Sequence, residues 1–208
     1  MPLLLLIRHG ENDFVKSSKM AGRIPGIHLN EKGRKQAEAL GDALKDFPIT
    51  AIYSSPLERA TETAEPIAKA RKLEINQEPG LMEADLGKWE GRSWKVLRLT
   101  KAWKVVQNAP SRFRFPEGES FAEAQLRYAN ALERIAKKHN KPKDIVAAVF
   151  HADPIKLAVS YFLGLPLDHF QRLGCNTGSL TMLHLSETGA NLITLNQRPP
   201  FDFVPKKK

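Results

Sequence analysis

The stretch LLLLIRHGEN, residues 3–12, passes from five consecutive apolar side chains straight to Arg8, His9 and Gly10. Read as a leader it fails: no basic residue precedes it, Leu3 to Ile7 is too short, and no small-residue cleavage site follows. Read as structure it fits a strand buried on both faces, as a parallel sheet covered by helices requires. Open sheets of that kind take their ligands outside the carboxyl ends of their strands, where Arg8 and His9 would lie.

Working outward, Ile145 to Phe150 (IVAAVF) is a second buried run, followed by His151 and by Pro154, which the first turn of a helix tolerates. Thr50 to Tyr53 reads as another strand, with Ser54, Ser55 and, one helical turn on, Arg59 behind it. Between them, Asn30 to Phe47 starts on a good N-cap residue and repeats Ala37, Leu40, Leu44 and Phe47 at helical spacing. Leu57 to about Arg71 predicts a helix that Pro66 kinks or interrupts. Leu73 to Asn76 predicts a short strand, and SETGAN joins Leu180–Leu185 to Leu192–Leu195 as a hairpin. Strands alternating with helices make an α/β domain with a mostly parallel sheet, and the strand-end rule then brings two histidines and two arginines to one edge.

The chain has 208 residues, suited to a single domain over 1–208, and a formal charge of +9. That charge is local: from Leu86 to Phe115 eight basic residues face one acid, Glu90, and Lys206, Lys207 and Lys208 form a basic tail. Nucleic acid is therefore a disfavoured partner. Cys175 is the one cysteine, which fits a reducing, cytoplasmic setting, and no run approaches the roughly 20 apolar residues of a membrane span. The basic insertion at about 86–121 also holds all three tryptophans, Trp89, Trp94 and Trp103. Arg92, Lys95, Arg98, Lys101 and Lys104 step by three, predicting a helix whose basic face is either simply solvated, with the tryptophans buried, or steers an anionic substrate.

An arginine fork matches phosphoryl oxygens, and two of them imply a dianionic ligand. Positive neighbours also oppose protonation of a histidine, leaving a ring nitrogen free as nucleophile, so the cluster points to phosphoryl transfer through histidine. Taken in order, LLLIRHGEN, LNEKGRKQAEAL, YSSPLERATETA, LMEADLGKWEG and VFHADPIKLAVSYFLGLPL resemble the histidine phosphatase superfamily, also called phosphoglycerate mutase-like. The resemblance implies a three-layer α/β/α fold, with His9 as nucleophile, Arg8, Arg59 and His151 holding the phosphoryl group, and Glu83 as proton donor. It also implies substrate contacts from Asn12, Gly26 and Ala152. Glu11 and Asp85 are weaker candidates for the acid. The implied chemistry needs neither metal nor cofactor, and the histidines show no compact ligand spacing.

The family holds hydrolases and mutases. Ala84 follows Glu83 where cofactor-dependent mutases carry an arginine for the substrate carboxylate, and the covering insertion is short, which favours a metal-independent phosphomonoesterase acting on a small phosphorylated metabolite. A phosphomutase and a non-catalytic module binding phosphorylated ligands are the alternatives. Val15 stands where an asparagine is common, and Ala152 where glycine is usual. The apolar elements Val159–Leu167 and Leu180–Leu185 leave a homodimer open.

Overall fold

Leu3–Arg8 forms strand β1 near the centre of a six-stranded sheet, and its burial alternates between two apolar layers: Leu4 and Leu6 enter one, Leu5 and Ile7 the other. A continuous apolar run is thus what a strand packed by helices on both faces needs. The computed structural model describes residues 2–141 and 143–201. The lysines at 206–208 lie outside the described residues.

The chain continues through α1 (Asp13–Lys16), α2 (Glu31–Leu44), β2 (Ala51–Ser54), α3 (Glu58–Arg71) and β3 (Ile75–Gln77). It then forms α4 (Trp94–Leu97), α5 (Lys101–Asn108), α6 (Phe121–Lys138), β4 (Ile145–Phe150), α7 (Ala152–Phe162), β5 (Leu180–Ser186) and β6 (Gly189–Gln197). The sheet order is β3-β2-β4-β1-β5-β6; β1 to β4 run parallel, while β5 runs antiparallel to β1 and β6 to β5. Helices α2 and α3 cover the face bearing Leu5, Ile7, Ala147 and Val149. Helices α6 and α7 cover the face bearing Leu4, Leu6, Val146 and Phe150. The result is a three-layer α/β/α fold with a mostly parallel sheet. Each fully buried leucine or isoleucine of β1 contributes about 1.5–3 kcal/mol, so the strand is held firmly enough to position Arg8 and His9 at its end.

One expectation is narrowed and one needs correction. Helix α3 runs through Pro66 as one element, and Pro66 lies against Gly41 of α2, where an added Cβ would come within 2.9 Å of the proline Cβ. The missing side chain of Gly41 leaves the room for the proline. The basic insertion is two short helices. Ser93 caps the amide of Lys95 and Thr100 caps that of Trp103, each with its side-chain oxygen, so α4 and α5 start separately and the step of three never becomes one face. Trp89 stacks on Trp103 with ring centroids 6.2 Å apart and packs on Phe113 and Phe115, which ties this cap to α6 through Phe121.

Candidate active site

The parallel register pairs Arg8 with Phe150, so the next residue of each strand, His9 and His151, emerge abreast. The His9 amide donates to the Phe150 carbonyl at 2.9 Å, and the two imidazole centroids are 5.2 Å apart. On the other side of β4, Ser54 pairs with Val149, which brings Ser55 beside His151. Arg59 comes from the first turn of α3 and is fully buried.

His9 Nδ1 lies 2.7 Å from the Gly10 carbonyl oxygen, an acceptor only, so Nδ1 carries the proton and Nε2 keeps its lone pair. Burial first, and then the Arg59 and Arg8 guanidiniums, hold the His9 pKa well below the usual histidine range. The ring is neutral at physiological pH. Gly10 itself is fixed by donation of its amide to Thr63 Oγ1, and the Glu11 backbone that follows it lies so close to Gly33 of α2 that a Cβ on Gly33 would fall 2.0 Å from the Glu11 carbonyl oxygen.

Both arginines are anchored by one nitrogen to a backbone carbonyl, Arg8 to Cys175 at 2.6 Å and Arg59 to Gly22 at 2.7 Å. Arg8 Nε and Arg59 Nε and Nη1 are buried with no partner among the described residues. Buried guanidinium donors left unpaired are costly, and an anion with several oxygens satisfies them. Helix α7 starts at the same place: Ala152 and Asp153 line the cavity, and the free N–H groups of a helix N-terminus favour a phosphoryl group.

His151 Nε2 lies 2.9 Å from Ser55 Oγ, while Ser55 Oγ accepts from the Leu57 amide. His151 Nδ1 is buried with no hydrogen-bond partner among the described residues, and Glu83 Oε2 lies 3.9 Å from it. Burial, followed by the charge of Arg59, keeps this ring neutral as well. Glu83 is pushed up to about 7, chiefly by burial and then by the nearby Asp153 carboxylate. Its loop is held from behind: the Glu83 carbonyl accepts from Arg23 Nε at 2.9 Å, and Arg127 binds the carbonyls of Gly80 and Met82. Glu119 ties Arg23 to Arg127, accepting from both.

These side chains line one cavity of about 340 Å³, in which Arg8, His9, Asn12, Arg59, Glu83 and Ala152 meet. His151 is fully buried with its ring 5.2 Å from that of His9, and it is not among the residues that line the cavity. Asn12 caps α1 with Oδ1 and leaves Nδ2 buried and unpaired among the described residues. Gly26 does not join them: it is exposed, and its amide donates to Glu58 Oε1. Glu11 is paired with Lys32 and Asp85 with Arg23, and neither lines the cavity. Of the cap cations only Arg98 reaches it, with Lys19 from the loop after α1. Ser55, Thr63 and the Cys175 carbonyl were not expected from the sequence. Ser55 stands directly after a strand and was open to the strand-end rule. The Cys175 loop was not, because it precedes the antiparallel β5, which reaches the same edge by its amino end.

A free imidazole nitrogen, two anchored guanidiniums and a carboxyl poised near neutrality, gathered at the edge of this sheet, define an enzyme of phosphoryl transfer. The chain belongs to the histidine phosphatase superfamily (branch 1), whose sequence profile matches residues 4–198. It is 31% identical over 201 residues to phosphoserine phosphatase 1 of Hydrogenobacter thermophilus, covering 94% of this chain and 92% of that protein. It is 32% identical over 206 residues to the 2,3-bisphosphoglycerate-dependent phosphoglycerate mutase of Thermoplasma acidophilum, covering 99% and 98%. The crystal structure of phosphoserine phosphatase from Entamoeba histolytica in complex with 3-phosphoglyceric acid is similar with a TM-score of 0.85 and 28% identity, over 96% of this chain and 98% of that one. The relatives thus include both phosphatases and mutases.

Proposed function

We propose that this protein is a metal-independent phosphomonoesterase in which His9 is the nucleophile and Glu83 the general acid and base. The observation that carries the reading is the Nδ1–H bond from His9 to the Gly10 carbonyl, which frees Nε2 beside unpaired donors of Arg8 and Arg59.

In the first half-reaction His9 Nε2 bonds to phosphorus as the ester P–O bond breaks, and the departing oxygen takes the proton of Glu83. Arg8 and Arg59 stabilise the charge on the equatorial oxygens, with His151 packed against the His9 ring, and the Gly10 carbonyl stabilises the positive ring of phosphohistidine. In the second, Glu83 takes a proton from water as the water oxygen bonds to phosphorus, the N–P bond breaks and phosphate leaves. A carboxyl near 7 serves both halves, since both of its forms are well populated at neutral pH.

Ala84, almost fully buried beside Glu83, offers no charge to a substrate carboxylate, which supports hydrolysis over mutase activity. The similarity to the Thermoplasma acidophilum mutase keeps the second reading in the test. Incubation with 3-phosphoglycerate and 2,3-bisphosphoglycerate in EDTA separates them. Release of inorganic phosphate that outpaces isomerisation supports the phosphatase, and isomerisation without phosphate release rejects it.

A further inference from the structure

Beyond the phosphoryl end, the same cavity is walled by large apolar groups: Val15, Met20, Trp89, Trp94, Trp103 and Phe115. All three tryptophans of the protein are there. A cavity of about 340 Å³ is in the range that encloses drug-sized ligands, far more than a three-carbon phosphate ester fills. Gln107 and Gln171 also line it, Gln171 Nε2 already donating to the Val106 carbonyl, so polar partners are few along the apolar wall, where an aromatic ring would gain contact on several sides. Cations besides Arg8 and Arg59 also line it. Lys156 is paired with Asp153 at 2.7 Å, and Lys19 and Arg98 are exposed residues whose charge solvent screens. On the aromatic wall itself the Trp94 indole N–H is buried and has no partner among the described residues.

From the aromatic wall contiguous with His9 we infer that the preferred substrate is a phosphomonoester of a bulky alcohol carrying an aromatic ring, seated among Trp89, Trp94 and Trp103. An acceptor atom on or beside that ring would take the Trp94 N–H. This deepens the phosphatase reading and rests on it for turnover, though not for binding.

The test compares 2-phenylethyl phosphate with ethyl phosphate, O-phosphoserine and 3-phosphoglycerate, all esters of aliphatic alcohols, so that the ring is the main variable. A parallel titration of tryptophan fluorescence with 2-phenylethylphosphonate and ethylphosphonate reads binding without hydrolysis. The phenylethyl ester should exceed the others in kcat/KM by about tenfold to a hundredfold, the worth of burying one ring, with a matching ratio of phosphonate affinities. Trp103→Ala should collapse the preference, and Trp103→Phe, which keeps a ring, should restore most of it. Equal or better use of phosphoserine or 3-phosphoglycerate, with phosphate still released, overturns this inference and leaves the phosphatase reading standing. Release from no ester overturns the phosphatase reading, and the phosphonate ratio then decides the ring preference alone.

Discussion

Replacing Glu83 by glutamine should make the protein more stable and nearly inactive, and the stability gain should depend on pH in a way fixed by the site. The carboxyl, only 18% exposed, is raised from 4.5 to about 7 by burial and by Asp153. Between those values the folded protein binds more protons than the unfolded chain, so the wild type loses stability as pH rises through the window. At 1.36 kcal/mol per pKa unit the cost reaches about 3 kcal/mol above pH 7 and vanishes below about 4.5. Glutamine does not titrate, and its amide oxygen can keep the bond that Glu83 Oε1 accepts from the Ala84 amide. Urea unfolding of Glu83→Gln and wild type at pH 4.5, 6 and 8 should show the variant's advantage growing across the series. In the same preparations kcat should fall by about 10²–10⁴. An advantage that is flat with pH, or that shrinks as pH rises, refutes the claim that its surroundings raise the Glu83 pKa.

Arg59→Lys should lower kcat/KM by about 10²–10³, because a lysine cannot both hold the Gly22 carbonyl and offer the planar donors Nε and Nη1; a loss under tenfold contradicts that role. Ser55→Ala should lower kcat/KM about tenfold by releasing the His151 ring, and should change the pH profile of kcat/KM as well as its size; an unchanged rate and profile contradicts it. Gly33→Ala should destabilise by about 1–3 kcal/mol despite alanine's better helix propensity, since the new Cβ meets the Glu11 carbonyl. A lowered urea midpoint at constant m checks this, and a raised midpoint contradicts it.

The parts of the site that extend from one strand were legible in the sequence. LLLLIR and IVAAVF are continuous apolar runs because both faces of β1 and β4 are buried, and their parallel register then sets His9 beside His151. Glu83 was legible only through a motif, because Glu11 and Asp85 offer the same chemistry. What separates them is burial under the cap, a long-range property that composition does not carry. The backbone carbonyls of Gly22 and Cys175 that aim the two arginines are likewise invisible, since any residue supplies a carbonyl. The cap misled in the opposite way. Its basic residues repeat by three, yet Ser93 and Thr100 each begin a new helix, and of the five stepped cations only Arg98 lines the cavity, whereas all three tryptophans do.

The most direct measurement is rapid acid-free quenching of the enzyme during turnover of a ³²P-labelled monoester, followed by mapping of the labelled peptide. An acid-labile, alkali-stable phosphate on the peptide containing His9, chased into inorganic phosphate and missing from His9→Ala, is the expected result. Label on another residue, or label that persists in His9→Ala, contradicts the assignment of His9 as the nucleophile.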